Sequence, residues 1–192
     1  MKNLYSKLQL ILVIVLFSAH HLNAQKNNSI WTKITKEKIG NAEKVIRKSE
    51  PNKAYFFQLD IEKLKTQLIN APLRGDSPKI SNLVIQFPNA EGEMESFRVK
   101  EAPVMAPKLQ AKYPDIRSYV GQSINNPSSI MRISITPHGL YTLVLGAKSG
   151  IQYINPYTAN LKNYIVYSKQ DLFKLSNDFE CGFEENNYYE RS

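Results

Sequence analysis

From Leu83 onward the apolar residues recur at every second position: Leu83, Ile85 and Phe87; Phe97 and Val99; Met131, Ile133 and Ile135; Tyr141, Leu143 and Leu145. Alternate side chains of a pleated strand face the same side, so this period specifies half-buried strands. A helix would repeat its apolar positions at 3.6 residues. Turn chemistry separates the runs, at Pro88-Asn89-Ala90-Glu91-Gly92, Asn125-Asn126-Pro127, Pro137-His138-Gly139 and Ala147 to Gly150. These residue types supply the tight reversals that join antiparallel neighbours. Tyr55 to Leu59, Ile116 to Gly121, Ile151 to Ile154 and Tyr164 to Tyr167 are further strand candidates. The expectation is an α+β, β-rich class: an antiparallel sandwich or half-barrel of about seven short strands with one or two short helices.

The helical signals are few. Ile61, Leu64 and Leu68 fall at i, i+3 and i+7, with Asp60 as N-cap and Asn70-Ala71-Pro72 as the stop. Lys108 to Tyr113 is expected to form one turn before Pro114, and Asp171 to Leu175 another. Ala102 to Pro107 holds two prolines and does not fit a central strand.

The chain divides by composition into residues 1–24, 25–53, 54–175 and 176–192. The first segment reads as a signal peptide. Lys2 and Lys7 supply the positive start, Leu8 to Ala19 is almost wholly apolar, and Leu22-Asn23-Ala24 offers a small residue for cleavage between Ala24 and Gln25. The apolar run falls short of the roughly 20 residues a membrane-spanning helix needs. The expected mature product is therefore secreted, periplasmic or on the cell surface, and is not held in the membrane. Residues 25–53 form a polar lead segment, partly helical, with Trp31, Ile34, Ile39, Val45 and Ile46 scattered through it. Residues 54–175 are the expected β-rich domain, and 176–192 an acidic, flexible tail.

The formal net charge is +8, or +6 without Lys2 and Lys7. Lys33, Lys36, Lys38, Lys44, Arg47, Lys48 and Lys53 crowd the start, and Asp178, Glu180, Glu184, Glu185 and Glu190 crowd the end. A nucleic-acid partner is not expected, because no basic stripe with interleaved aromatics accompanies the charge. A solvated lysine-rich surface accounts for it.

Catalytic parts are scarce. His138 is the one histidine beyond residue 24, and it sits in a Pro-His-Gly turn. One histidine cannot build a histidine-based metal site, and no zincin, nucleophile-elbow, phosphate-loop or dinucleotide motif occurs. Asp60 with Glu62 and Glu91 with Glu93 are paired carboxylates, but they stand at a helix start and a turn, where capping and solvation explain them. Asn27-Asn28-Ser29 matches a glycosylation acceptor, a pattern frequent by chance. The single cysteine, Cys181, excludes a disulfide framework. Its neighbour Glu180 disfavours the thiolate a Cys181–His138 dyad would need. The chain is expected not to be an enzyme by itself and to hold no cofactor. Tyr153, Tyr157, Tyr164 and Tyr167 would be the aromatic patch of a binding module if exposed, although alternating strand tyrosines more often pack in cores or cross-strand pairs.

Two stretches carry a family resemblance. One runs from Glu101 to Tyr167 and includes EAPVMAPKLQAKYPDIRSYVGQS and YINPYTANLKNYIVYS; the other is the F-x-L-D-x-x-x-L-x-x-x-L-x-x-A-P pattern of Phe57 to Pro72. Together they resemble the propeptide region of secreted reprolysin-like zinc metallopeptidases from Bacteroidota, over most of residues 55–175. The resemblance implies a β-rich prodomain that assists folding and latency of a zinc catalytic domain, its partner in cis in those precursors. That catalytic domain, with its zinc motif, is missing from this chain. The resemblance also makes Cys181, followed by Gly182, a candidate latch whose thiolate would ligate the partner's zinc, although the flanking residues do not otherwise fit the usual latch motif. The alternative is a stand-alone exported β-rich binding module for a cell-surface protein or glycan.

Overall fold

The computed structural model describes residues 29–47, 49–75 and 80–172. The expected cleavage point between Ala24 and Gln25, the Asn27 acceptor, Cys181 and the acidic tail lie outside the described residues. The chain divides into two units, Met1–Ile30 and Trp31–Ser192, and the nine strands among the described residues all lie in the second.

These strands are β1 (Trp31–Ile34), β2 (Tyr55–Leu59), β3 (Val84–Pro88), β4 (Met94–Glu101), β5 (Arg117–Ser123), β6 (Ile130–Thr136), β7 (Gly139–Ala147), β8 (Gly150–Pro156) and β9 (Asn163–Ser168). Two α-helices accompany them, α1 (Ile61–Leu68) and α2 (Pro107–Lys112). All strands belong to one antiparallel sheet in the order β1-β2-β9-β8-β7-β6-β5-β4-β3. The sheet curls into a nearly closed barrel, so the class is β-rich α+β and the half-barrel expectation holds rather than the sandwich. The count is nine rather than about seven. The eight strand candidates of the sequence correspond to β2 through β9, and the ninth strand, β1, lies inside the lead segment; its four residues are too few for an alternation to register.

The alternation read from the sequence becomes rows of side chains inside the barrel. Val99, Gly121, Met131, Val144, Gln152 and Ser168 form one continuous buried row across β4 to β9. Gly121 is needed there for space, because a Cβ at this position would lie 3.1 Å from the Cβ of Phe97. Gln152 is buried with both ends satisfied. Its Oε1 accepts from the Ala90 N–H at 3.0 Å, and its Nε2 donates to Ser149 Oγ at 2.7 Å. Pairing removes most of the cost of burying a polar amide. The β7–β8 hairpin contains a register shift between Val144 and Ala147. Gly146 sits in it at φ +79°, and a Cβ there would meet the Ser128 carbonyl oxygen well inside contact distance.

Trp31 joins the two edges of the sheet. Its indole Nε1 donates to the Gln86 carbonyl on β3 at 3.0 Å, and its ring packs against Phe57, Phe87 and Tyr164 with centroids 5.8–6.3 Å apart. Lys33 on β1 adds a second link, donating from Nζ to the Gly92 carbonyl in the β3–β4 turn at 2.8 Å.

The described part of the lead segment covers the outer face around β9. Its helical part is one 3₁₀ turn, Lys36–Ile39, after which Val45 donates to the Tyr157 carbonyl and Ala159 to that of Glu43. Ile39 packs with Tyr157, Ile165 and Tyr167 in a cluster outside the barrel, with Phe56 and Leu172 against it. Strand β9 is consequently buried on both faces. A short 3₁₀ turn spans Lys169–Asp171; of the turn expected over Asp171 to Leu175, residues 173–175 lie outside the described residues.

Helix α1 starts as its sequence indicates: Asp60 Oδ1 accepts from the Lys63 N–H at 3.0 Å. Leu64 and Leu68 bury its apolar face.

Replacing Trp31 with Ala is expected to cost about 3–5 kcal/mol in urea unfolding, the range for truncating a buried aromatic. Ile46→Ala, at a side chain 98 % exposed, should stay within about 0.5 kcal/mol. Gly146→Ala is expected to cost roughly 2 kcal/mol or more, from positive-φ strain and the carbonyl clash together.

Candidate functional site

At one end of the barrel, β4 ends at Glu101, β5 begins at Arg117 and β6 runs out at Thr136. Helix α1 lies against this end. The gap is a cleft of about 550 Å³, whose apolar floor includes Leu68 and Ile135. Its polar wall includes Lys65, Glu101, Asp115 and Arg117.

The cleft is stiffened from below. Arg117 Nη1 pairs with Glu101 Oε1 at 2.6 Å, and Arg117 Nε donates to the Pro114 carbonyl at 3.2 Å. Gln110 of α2 donates from Nε2 to the Tyr113 and Ile116 carbonyls, at 3.2 and 2.8 Å, holding the loop that enters β5. Two backbone bonds tie the segment after α1 to the same strand end: Glu101 donates to the Pro72 carbonyl, and Arg74 to that of Glu101. Tyr119 is opposite Glu101 in the register and buried. Burial pushes its phenol pKa up, the neighbouring Glu101 charge adds to that, and Arg117 opposes it.

The cleft thus presents mixed charge over an apolar floor. Lys65 is already paired with Glu62 at 2.8 Å, whereas Asp115 forms no ion pair among the described residues. His138 lies just beyond the Pro137 wall, exposed, its backbone N–H donating to Thr136 Oγ1 at 3.0 Å. Among the described residues no group of three or more His, Cys, Asp or Glu side chains is placed to hold a metal ion, and no helix is long and apolar enough to cross a membrane.

The residues singled out in the sequence fall elsewhere. Asp60 is a cap and Glu62 an exposed pair with Lys65, as capping and solvation required. The N–H groups of Glu91 and Glu93 both donate to Asn89 Oδ1 in the β3–β4 turn. Of the four tyrosines, Tyr157 and Tyr164 are fully buried, and Tyr153 pairs across β8–β9 with Tyr167 at 5.3 Å between centroids. They pack the core and the outer cluster and form no exposed patch. The cleft itself was missed. Its signal is the charge at strand ends, Glu101 closing one strand and Arg117 opening the next, and only the β4–β5 register brings the two together.

Comparisons with protein-family models, with curated proteins and with solved structures find no match to this chain.

Burial also raises the phenol pKa values of Tyr164 and Tyr167, opposed at Tyr164 by the Leu140 N–H and at Tyr167 by Arg47. A phenol that holds its proton longer in the folded chain than in the unfolded one stabilises fully below the ordinary value of 10.0. That contribution is lost as pH rises past it. Stability in urea is therefore expected to fall above about pH 10. NMR titration of ring-labelled tyrosine should show Glu101→Gln shifting the Tyr119 phenol to lower pKa and Arg117→Gln shifting it higher.

Proposed function

We propose that this chain acts as a prodomain-like module of a secreted zinc metallopeptidase precursor, guiding the folding and holding the latency of a zinc catalytic domain. The observation that carries this reading is the composition of the cleft. Every described residue lining it belongs to one of the two stretches that resemble reprolysin-like propeptides: Lys65, Leu68 and Ile69 to the first, and Glu101, Pro114, Asp115, Arg117, Tyr119, Ile135, Thr136 and Pro137 to the second. Segments far apart in sequence thus build one recess. The cleft offers a surface for docking, and in this reading the chain itself performs no turnover. It would reach its partner after export, through the signal peptide at residues 1–24.

Latency in this reading has two parts. The cleft and its charged wall would seat a segment of the catalytic domain, with complementary charge setting on-rate and register. Cys181 would supply a thiolate to the open zinc position of that partner, which a hydrolytic water otherwise occupies. Gly182 beside it leaves the backbone free to approach closely. The rival reading, an exported binding module for a cell-surface protein or glycan, keeps its own test in retention on glycan resin.

Added to an isolated reprolysin-like catalytic domain, the purified chain is expected to slow cleavage of a peptide substrate. The double substitution Lys65→Ala with Asp115→Ala, on the cleft wall, should weaken that inhibition about tenfold, equivalent to about 1.4 kcal/mol of docking energy. Cys181→Ala should weaken it further, and unchanged inhibition by that variant would remove the latch. Full inhibition by the cleft variant would remove the cleft from the interface, and absence of inhibition by the unaltered chain would remove the prodomain reading.

A further inference from the structure

The outer face of the sheet is divided. Over β2, β9 and β8 the lead segment covers it, but over β4, β5 and β6 it stays open. There a shallow groove of about 360 Å³ is lined by Arg74, Arg98, Lys100 and Arg132, with Val120 and Ile130 between them. The register explains the grouping. Lys100, Val120 and Arg132 stand side by side on β4, β5 and β6, and Arg98, Gln122 and Ile130 form the next row. Arg98 donates to the Ser81 carbonyl at 3.3 Å. Among the described residues no carboxylate forms an ion pair with Arg74, Arg98 or Arg132. Ile130 is 41 % exposed between these cations.

We infer that this groove is the seat of the chain's own acidic segment, residues 178–190, bound in cis. Charge complementarity is the first argument. The segment carries Asp178, Glu180, Glu184, Glu185 and Glu190 and no lysine or arginine. Phe179, Phe183, Tyr188 and Tyr189 are interleaved with those acids, matching a groove that mixes arginines with Val120 and Ile130.

Reach is the second argument. Leu172 packs on the outer face in the cluster that includes Tyr167. Tyr167, Tyr153, Leu143 and Arg132 are successive neighbours in one outer row from β9 to β6. Three strand spacings of roughly 4.8 Å separate the first from the last, about 14 Å in all. Extended chain covers roughly 3.4 Å per residue, so Asp178 reaches Arg132 and Glu184 reaches Arg98 without strain. Single exposed ion pairs are weak, but tethering supplies a high effective concentration and several pairs act together. This inference does not depend on the prodomain reading.

The single cysteine allows the test in the full chain. A nitroxide label on Cys181 is expected to broaden the backbone amide signals of Val120, Ile130 and Arg132. The signals should recover in 1 M NaCl, where the screening length falls to about 3 Å. They should also recover in the double variant Arg98→Glu with Arg132→Glu, which alters only exposed side chains. Undiminished signals on β4 to β6 at low salt would overturn the inference. So would broadening that survives both salt and charge reversal. Equal broadening when labelled chain is mixed with isotope-enriched unlabelled chain would place the segment of a second copy in the groove, and would equally overturn binding in cis.

Discussion

Trp31 closes the sheet. A nine-stranded sheet has two free edges, and each is a row of unpaired backbone groups open to any passing strand. Here the strands at the two edges, β1 and β3, approach one another, and the indole spans them, donating to the Gln86 carbonyl while its ring packs on Phe57, Phe87 and Tyr164. Closure gives the barrel an interior, and the interior is where the alternating apolar positions of the other strands find their partners. The cleft depends on it too, since its floor is lined by Ile135 of β6 and Leu68 of α1 at one end of the barrel.

The two faces of the sheet serve different ends. Inside, packing is continuous and Gln152 is paired with Ala90 and Ser149, whereas Ser129 Oγ is buried without a hydrogen-bond partner. Outside, the lead segment covers the portion around β9 and makes that strand buried on both faces. On the remaining outer face Arg74, Arg98 and Arg132 are exposed among the described residues. Burying a guanidinium without a partner is costly, so an open basic groove is physically consistent with solvent or an acidic occupant and inconsistent with a packed apolar cover.

Much of the architecture was legible because its signals are local. The alternation from Leu83 to Leu145 corresponds to β3 through β7, and Asp60 with Ile61, Leu64 and Leu68 corresponds to a capped helix. The strand β1 was not legible: four residues in a lysine-rich segment carry no period of their own, and they are strand because Leu59 and its neighbours on β2 pair with them. The lead segment's role as a cover was hidden for the same reason, its apolar residues being few and widely spaced. At the cleft, Glu101 and Arg117 looked like ordinary strand-end charges, since only the pairing of β4 with β5 brings them within 2.6 Å.

By itself, then, the amino-acid order determined the strands, their turns and the capped helix, because side-chain periodicity and turn residues act over a few positions. It also determined that His138 is the one histidine beyond residue 24 and Cys181 the single cysteine, since both follow from composition. Only the tertiary structure decided that the sheet curls rather than stacks, that Trp31 links its edges, and that one end opens into a cleft built from two distant segments. Those outcomes rest on contacts between residues separated by tens of positions, such as Trp31 with Gln86, whose energies no local pattern records.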